Sequence, residues 1–381
     1  MQPLENIKVL DLSRVLAAPT GTMLLGDLGA EVIRIEHPEG SDSMREWGPF
    51  SNGQSTYYLS ANRNKKSITL DLKLESEREK FKKLVKDADI IIENFKTGDM
   101  EKLGVHYKEL QKVNPSIIHI AVTGFGQTGP LASEPGFDPV IQAMSGLMDI
   151  TGAIDGEPTR VGVPIVDILT SHYVVIGALA ALRQRDLTGK GQFIDLSLFD
   201  VQLSSMANVT SAYLNAGYIS KRLGNQHNNI APYQAFKCKD GLIMICAGTD
   251  SQFVKLCNML DRSEWIQDER FKTNVLRKTH ENLLADMINE ITFTKNREDW
   301  LGLLQEYKIP GGQVLTVAEA LEHPQTKARN LIGEIEHPTY GNIKFIKNPL
   351  QFSELNIDYK NAPPILGEHN EILSELEDDN Y

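Results

Sequence analysis

Ile7-Lys8-Val9-Leu10-Asp11-Leu12, then Thr20 to Leu28 closed by Gly29, then Glu31-Val32-Ile33-Arg34-Ile35-Glu36: this opening decides the fold class. The first run is short and apolar and fits a buried strand. Ala17-Ala18-Pro19 breaks it from a helix-like stretch, and the second run is a strand ended by the turn His37-Pro38-Glu39-Gly40. A strand, a helix of about ten residues and another strand make a βαβ unit. Such crossovers imply a parallel sheet with helices on its faces.

The pattern continues outward. Ser67 to Asp71, Ala88 to Glu93 and Ile117 to Val122 read as strands, with helices over Ser76 to Lys86 and Met100 to Val113. Strands this apolar belong where both faces are covered, so the N-terminal half is expected to be α/β and Rossmann-like. A long helix is expected over Ile168 to Arg185, ending in Thr188-Gly189-Lys190-Gly191. A strand follows over Phe193 to Leu198, then a helical run to about Asn215. Gly217 to Asn229, rich in Gly, Asn and basic residues, reads as a linker or mobile loop. Beyond it come the strand Leu242 to Ala247 and the helices Ser251 to Leu260 and His280 to Phe293. The tail is strand-like from Ile332, then Pro-rich through Asn361-Ala362-Pro363-Pro364, then a short acidic helix. The expected division is a large domain over 1–216 and 326–381 and a smaller α+β domain over 217–325.

Composition narrows the function. Thirty-nine basic against 51 acidic residues give a net charge of −12, which lacks the basic footprint of a nucleic-acid surface. Hydrophobic residues at 41% and charged residues at 24% fit a globular chain. No apolar run reaches the ~18 residues of a membrane span, and Met1-Gln2-Pro3-Leu4-Glu5 lacks the order of a signal peptide. Cys238, Cys246 and Cys257 are odd in number and form no CxxC, so neither a disulfide framework nor a thiolate zinc site is expected. A cytoplasmic protein is expected.

Gly124-Phe125-Gly126-Gln127-Thr128-Gly129 spells GxGxxG after a predicted strand. The dinucleotide fingerprint needs its glycines to open a helix. Pro130, Pro135 and Pro139 forbid one, so the loop reads as a place of close backbone approach. The nine histidines form no HxxxH or HExxH, so no metal is expected, and His172 inside the long helix is read as packed. There is no GxSxG elbow. Asp167 remains, ending the run Val161-Gly162-Val163-Pro164-Ile165-Val166 and opening the long helix. It is either a helix N-cap or, ionised by the helix N-terminus and shielded from water, a covalent nucleophile. Composition leaves both readings open.

Several segments together resemble family III CoA-transferases, the formyl-CoA and carnitine CoA-transferase group. They are Leu4 to Ser13, Gly26 to Glu36, Asn64-Lys65-Lys66-Ser67-Ile68, Glu93-Asn94-Phe95, Gly136-Phe137-Asp138 with Ser145-Gly146-Leu147, the Asp167 helix, Thr188 to Gln192, and Leu366-Gly367-Glu368-His369. The resemblance implies a Rossmann-like large domain with a returning C-terminus, a small domain, and two chains interlocked as a homodimer around the site. It implies no permanent cofactor: coenzyme A enters as a thioester substrate. It places the nucleophile at Asp167, which would form an acyl anhydride and then an aspartyl-CoA thioester. It places coenzyme A against Val15, Leu16, Ala17, His37 (where relatives carry arginine), Leu70, Asp71, Leu72, Lys73, Asn94, Phe95 and Lys102, with Phe137 and Asp138 near the thioester. Gly224 to Asn228 falls where relatives have a glycine-rich flap, here with one glycine and with Gln226 and His227.

The same family holds α-methylacyl-CoA racemases, which carry a histidine where this chain has Phe137; phenylalanine cannot carry a proton. A non-catalytic acyl-CoA-binding protein is the other alternative. Gly124 to Pro130, Ser145 to Met148 and Pro232 to Lys237 look closest to the succinyl-CoA:glutarate branch. A dicarboxylate acceptor needs a second cation, for which Arg14, Arg45 and Arg160 are candidates.

Overall fold

The computed structural model describes residues 1–378. They form two compact units, one of 1–148, 160–219 and the chain from Arg329 on, the other of 149–159 and 220–328. The stretch 149–159, assigned above to the large domain, belongs to the second unit.

In the first unit β1 (Lys8–Asp11), β2 (Glu31–Glu36), β3 (Lys65–Thr69), β4 (Ile90–Glu93), β5 (Ile118–Thr123) and β6 (Phe193–Ser197) form one sheet. Its order is β3-β2-β1-β4-β5-β6, parallel throughout. The alternation of apolar residues explains how both faces are covered. Val9, Val32, Ile90, Ile118 and Ile120 face a core with α1 (Ala17–Asp27) and α5 (Ile165–Thr188). Their neighbours Leu10, Ile33, Ile68 and Ile91 face the opposite core with α2 (Glu75–Lys86) and α3 (Tyr107–Val113). The strand order reverses between β1 and β4, and ligands of such sheets bind in the crevice beyond the strand ends at that point.

Several sequence expectations shift. α1 begins at Ala17, with Pro19 in its first turn, where a missing N–H costs nothing. The helix expected over Met100 to Val113 is two, Asp99–Lys102 and α3, separated by Gly104 at φ 68°. The run after β6 is also two helices, α6 (Leu198–Ser205) and α7 (Ala207–Ala216). α5 is three residues longer at each end than expected and, with a mean hydropathy of 1.8, is long and apolar enough to cross a membrane. Here it covers the sheet and packs along α1. His172 is exposed on it, not packed.

The GxGxxG loop makes the predicted close approach: a Cβ on Gly124 would stand 2.4 Å from the Cα of Gly136. The first helix after it is α4 (Asp138–Met144).

The second unit has its own apolar core. A three-stranded antiparallel sheet of β7 (Tyr233–Cys238), β8 (Gly241–Cys246) and β9 (Gly311–Gln313) packs with helices that include α8 (Asp250–Met259), α9 (Glu281–Thr292) and α10 (Arg297–Glu306). All three cysteines lie here and are free. Burial pushes the Cys238 thiol up to about 11 and that of Cys257 to about 12, which keeps both from acting as thiolates. The chain returns to the first unit through the hairpin β10 (Ile332–His337) and β11 (Gly341–Ile346). It ends in α11 (Glu371–Asp378), whose Ile372, Leu373 and Leu376 join the core beside α2.

Candidate active site

The loops that leave β1 and β4 part at the reversal of strand order, and two cavities of about 500 Å³ each open there. Arg14, Ser41, Phe95 and Asp99 line both. The first cavity reaches Val15, Leu16, Ala17, Asn94, Phe137, Asp138 and Asp167. The second reaches His37, Leu70, Asp71, Leu72, Lys73 and Lys102. Residues spread from 14 to 167 are thus gathered along one continuous wall.

The β1 loop is held from two sides. The Asn94 amide accepts from Arg14 N at 2.8 Å and donates to Arg14 O at 2.7 Å. Both ends of that side chain are therefore engaged in positioning the loop. Val15 has a left-handed backbone at φ 64°, an outlier for a β-branched residue, and its N–H donates to Asp42 Oδ1 at 3.1 Å. Asp42 is itself paired with buried Arg34. α1 then starts with neither a side-chain cap nor an acidic residue in its first turn. Its end carries partial positive charge where Leu16 and Ala17 line the cavity, a setting that favours anions.

Cations are sparse. Arg14 lies 4.8 Å over the Phe95 ring and faces both cavities; burial pulls its pKa down, opposed by Asp42. Lys102 pairs with Asp99 at 2.7 Å, and His37 Nε2 stands 3.7 Å from Asp71. Arg45 is committed elsewhere, bonded to Glu36, Tyr58 and the Pro364 carbonyl, so it is no candidate for an acceptor carboxylate. Arg160 is exposed.

The carboxylates are more telling. α5 starts at Ile165, with Pro164 in the cap position and no side-chain cap, so Asp167 lies within the first turn and is not the N-cap. Asp138 does that work from another helix. Its Oδ2 accepts from Val166 N at 2.8 Å and Asp167 N at 3.3 Å, and its Oδ1 accepts from Gln142 Nε2 at 2.6 Å. The Gln142 side-chain oxygen Oε1 in turn accepts from Val161 N at 2.9 Å, fixing the approach to α5. The dipole of α5 therefore serves Asp138, and Asp167 is left half-buried beside a second negative charge. Burial and Asp138 push its pKa up to about 7. This corrects the expectation that the helix end lowers it: the dipole's benefit went to the neighbour. Burial and the same pair raise the Tyr57 phenol, against Arg160.

A carboxylate on a cavity wall, titrating near neutrality beside an anion-favouring helix start, is equipped for nucleophilic chemistry. The family profile described as CoA-transferase family III matches residues 4–370. The chain belongs to that family. This CoA-transferase is 40% identical over 378 residues to a succinyl-CoA:glutarate CoA-transferase of Homo sapiens, covering 99% of this chain and 86% of that one. It is 39% identical to a succinate–glutarate CoA-transferase of Agrobacterium fabrum, covering 98% and 96%. An acetyl-CoA:oxalate CoA-transferase of Acetobacter aceti is 40% identical over 87% of this chain and 85% of that one. Among solved structures, a CAIB/BAIF family protein from Brucella suis superposes with a TM-score of 0.90 at 42% identity, covering 98% of this chain and 99% of that one.

The residues missed in sequence are those that position the site. Asp42 and Gln142 carried weak local signals: Asp42 precedes a tight turn after Gly40-Ser41, and Gln142 is one helical turn beyond Asp138. In the loop 224–228, Gln226 Nε2 donates to Asn282 Oδ1 at 3.0 Å and His227 O accepts from Lys278 Nζ at 2.6 Å, so both are engaged within the second unit.

Proposed function

We propose that this enzyme moves coenzyme A from a succinyl-CoA-like donor to a dicarboxylic acid of the glutarate class through covalent intermediates on Asp167. The observation that carries the reading is the raised carboxyl of Asp167 on the wall of a cavity that also exposes the start of α1.

An oxygen of the Asp167 carboxylate attacks the donor thioester carbonyl; the C–S bond breaks and CoA leaves as thiolate, giving a mixed anhydride. The thiolate attacks the Asp167 carbonyl and expels the donor acid as its carboxylate, leaving an aspartyl-CoA thioester. The acceptor carboxylate attacks that thioester and frees the thiolate again. Attack of the thiolate on the acceptor's own carbonyl then returns Asp167 and releases the new acyl-CoA. Every step exchanges one acyl bond for another of similar energy, so none calls for ATP. Water has to be kept from the anhydrides. A carboxylate poorly solvated in its resting state is the better nucleophile, and this links the cost of burying Asp167 to its use.

In this reading the second cavity, with His37, Leu70 to Lys73 and Lys102, takes the nucleotide end of coenzyme A. Arg14, shared by both cavities, meets an anionic group at their junction. The dicarboxylate acceptor is supported by the glutarate enzymes among the relatives. Racemisation is disfavoured because Phe137 stands on that wall where the racemases carry a histidine, and phenylalanine cannot carry a proton. We also propose a Rossmann-like first domain and an interlocked homodimer. Tyr173, Ile176 and Leu179 along α5, with Tyr213 and Leu214 on α7, leave an apolar surface suited to a second copy.

Trapping tests the central claim. Protein incubated with succinyl-CoA and quenched with hydroxylamine should yield a hydroxamate on the peptide carrying Asp167, read by mass spectrometry. Transfer to glutarate with no adduct at residue 167 would falsify the covalent route.

A further inference from the structure

Arg34, Arg45, Arg63 and Arg185 each hold a carboxylate. Arg14 does not. Its guanidinium, half-buried on the wall of both candidate coenzyme A cavities, makes no ion pair and no hydrogen bond among the described residues. What supports it is the ring of Phe95, 4.8 Å away, a contact that leaves its N–H groups free for an anion.

Phe95 is itself held. Its side chain packs against the core that α2 and α3 close, and its N–H donates to the carboxylate of Glu93 at 2.7 Å. Asn94, between them, fixes the backbone of Arg14 from both sides. Three consecutive residues at the end of β4 thus bear on one arginine: Asn94 on its main chain, Phe95 on its guanidinium, and Glu93 on Phe95.

Glu93 is a costly group for that place, since it is 3% exposed and burial disfavours a carboxylate. Among the described residues no lysine or arginine pairs with it, and His119 Nε2 stands 3.6 Å away, beyond hydrogen-bond reach. The strand before it is Ile90-Ile91-Ile92, all buried, and a fourth apolar residue would fit the same pattern. What an apolar residue would lose is the bond to Phe95 N, which a carboxylate makes about twice as strong as a neutral acceptor does.

We propose that Glu93 is a positioning residue for coenzyme A. Through its bond to Phe95 N it fixes the Phe95 ring, and the ring presents the Arg14 guanidinium to an anionic group of the ligand. The inference rests on the reading that coenzyme A occupies these cavities, and is independent of the covalent chemistry at Asp167.

Calorimetric binding of free coenzyme A to the full-length protein tests it. Uptake by the wild type upholds the reading of the cavities, and the variants then judge Glu93. Glu93→Met, close in size but with no acceptor oxygen, should raise Kd about tenfold. Glu93→Gln, which keeps an oxygen for Phe95 N, should stay within about threefold of wild type. Because the effect runs through Arg14, Glu93→Met added to Arg14→Met should change Kd by less than about twofold. An acid that merely supports the fold would weaken binding alike in both backgrounds. Should Glu93→Met fail to fold by circular dichroism, Phe95→Leu takes its place in the cycle, removing the ring and leaving the acid. It should raise Kd about fivefold alone and less than about twofold beside Arg14→Met. No binding by the wild type would sink the reading of the cavities and this inference together. With the wild type binding, an unchanged Kd in Glu93→Met, equal weakening by Glu93→Gln, or additivity of either variant with Arg14→Met would overturn the role of Glu93 alone.

Discussion

Two regions of the first unit bury carboxylates, and they treat them in opposite ways. Around β1, Asp11, Glu36 and Asp42 are buried with Arg34, Lys65 and partly exposed Arg45. Burial works against the charges of Asp11 and Glu36, yet the opposite charges outweigh it: Asp11 is lowered and Glu36 falls to about 2. Arg34 is held up by Glu36, Tyr58, Asp11 and Asp42 despite its burial, while burial brings Lys65 down to about 8. At the start of α5, Asp138 and Asp167 share a wall, neither is ion-paired among the described residues, and Asp167 rises to about 7. Paired burial builds a rigid frame; unpaired burial builds a reactive group. The frame also acts at a distance, since Arg34 holds Asp42 and Asp42 holds the backbone of Val15 at the cavity.

The sharpest break between the two regions is kinetic against thermodynamic. Asp167→Ala should lower transfer by about 10⁴-fold while leaving the urea midpoint no lower than that of the wild type, because it removes a nucleophile that the fold does not need. Product thioester measured by liquid chromatography decides it; activity above a tenth of wild type would remove Asp167 from the mechanism. Arg34→Met should do the reverse. It leaves three buried acids short of a partner, so urea unfolding should show a loss of about 3–5 kcal/mol. A loss below about 1 kcal/mol would mean that the network relaxes by taking in water and is no frame.

How much of this was legible in the sequence follows from distance along the chain. The alternation of strands and helices, and hence the parallel sheet, was local and readable. So was the close approach at Gly124, because Pro130, Pro135 and Pro139 excluded the helix that a dinucleotide loop needs. Arg34 and Glu36 sit in a strand read only as apolar and covered; that its charged residues are buried in a network became visible only with Lys65 and Asp11 beside it. Asp167 was singled out, but its ionisation was misjudged. The residue that takes the helix N–H groups, Asp138, lies 28 positions before Val166, and no periodicity links them. The start of α5 was misplaced because Pro164 looks like a barrier yet occupies the cap position.

The unpaired region can be probed by pH. With the Asp167 pKa near 7 when folded and at an ordinary carboxylate value when unfolded, the native state holds the extra proton between about pH 4 and 7. Stability from this group is therefore greatest at low pH and is lost as pH rises through 7. Asp167→Asn should gain about 1–2 kcal/mol over wild type at pH 8, a value discounted for the residue's partial exposure. It should gain almost nothing near pH 4; an equal gain at both would assign the effect to packing. For catalysis the reactive form is the carboxylate, so kcat/KM should fall below a midpoint near 7. Asp138→Asn, which keeps an oxygen to accept from Val166 N, should move that midpoint down by about one unit. A midpoint that stays put would leave burial as the sole cause.

The smallest effect is expected where the two regions meet, at Val15. A β-branched residue in the left-handed region costs on the order of 1–3 kcal/mol, and it persists only because Asp42 and Asn94 fix the backbone on both sides. Val15→Gly removes the strain but adds freedom to the unfolded chain and deletes packing beside Met44 and Tyr58. The net change in stability should stay within about 1 kcal/mol, whereas KM for the acyl-CoA should rise about two- to fivefold as the loop loosens against coenzyme A. A stability loss of several kcal/mol would make Val15 a core residue first and a cavity residue second. An unchanged KM would show that the clamps from Asp42 and Asn94 hold the loop whatever side chain it carries, and that the frame alone sets the shape of the cavity.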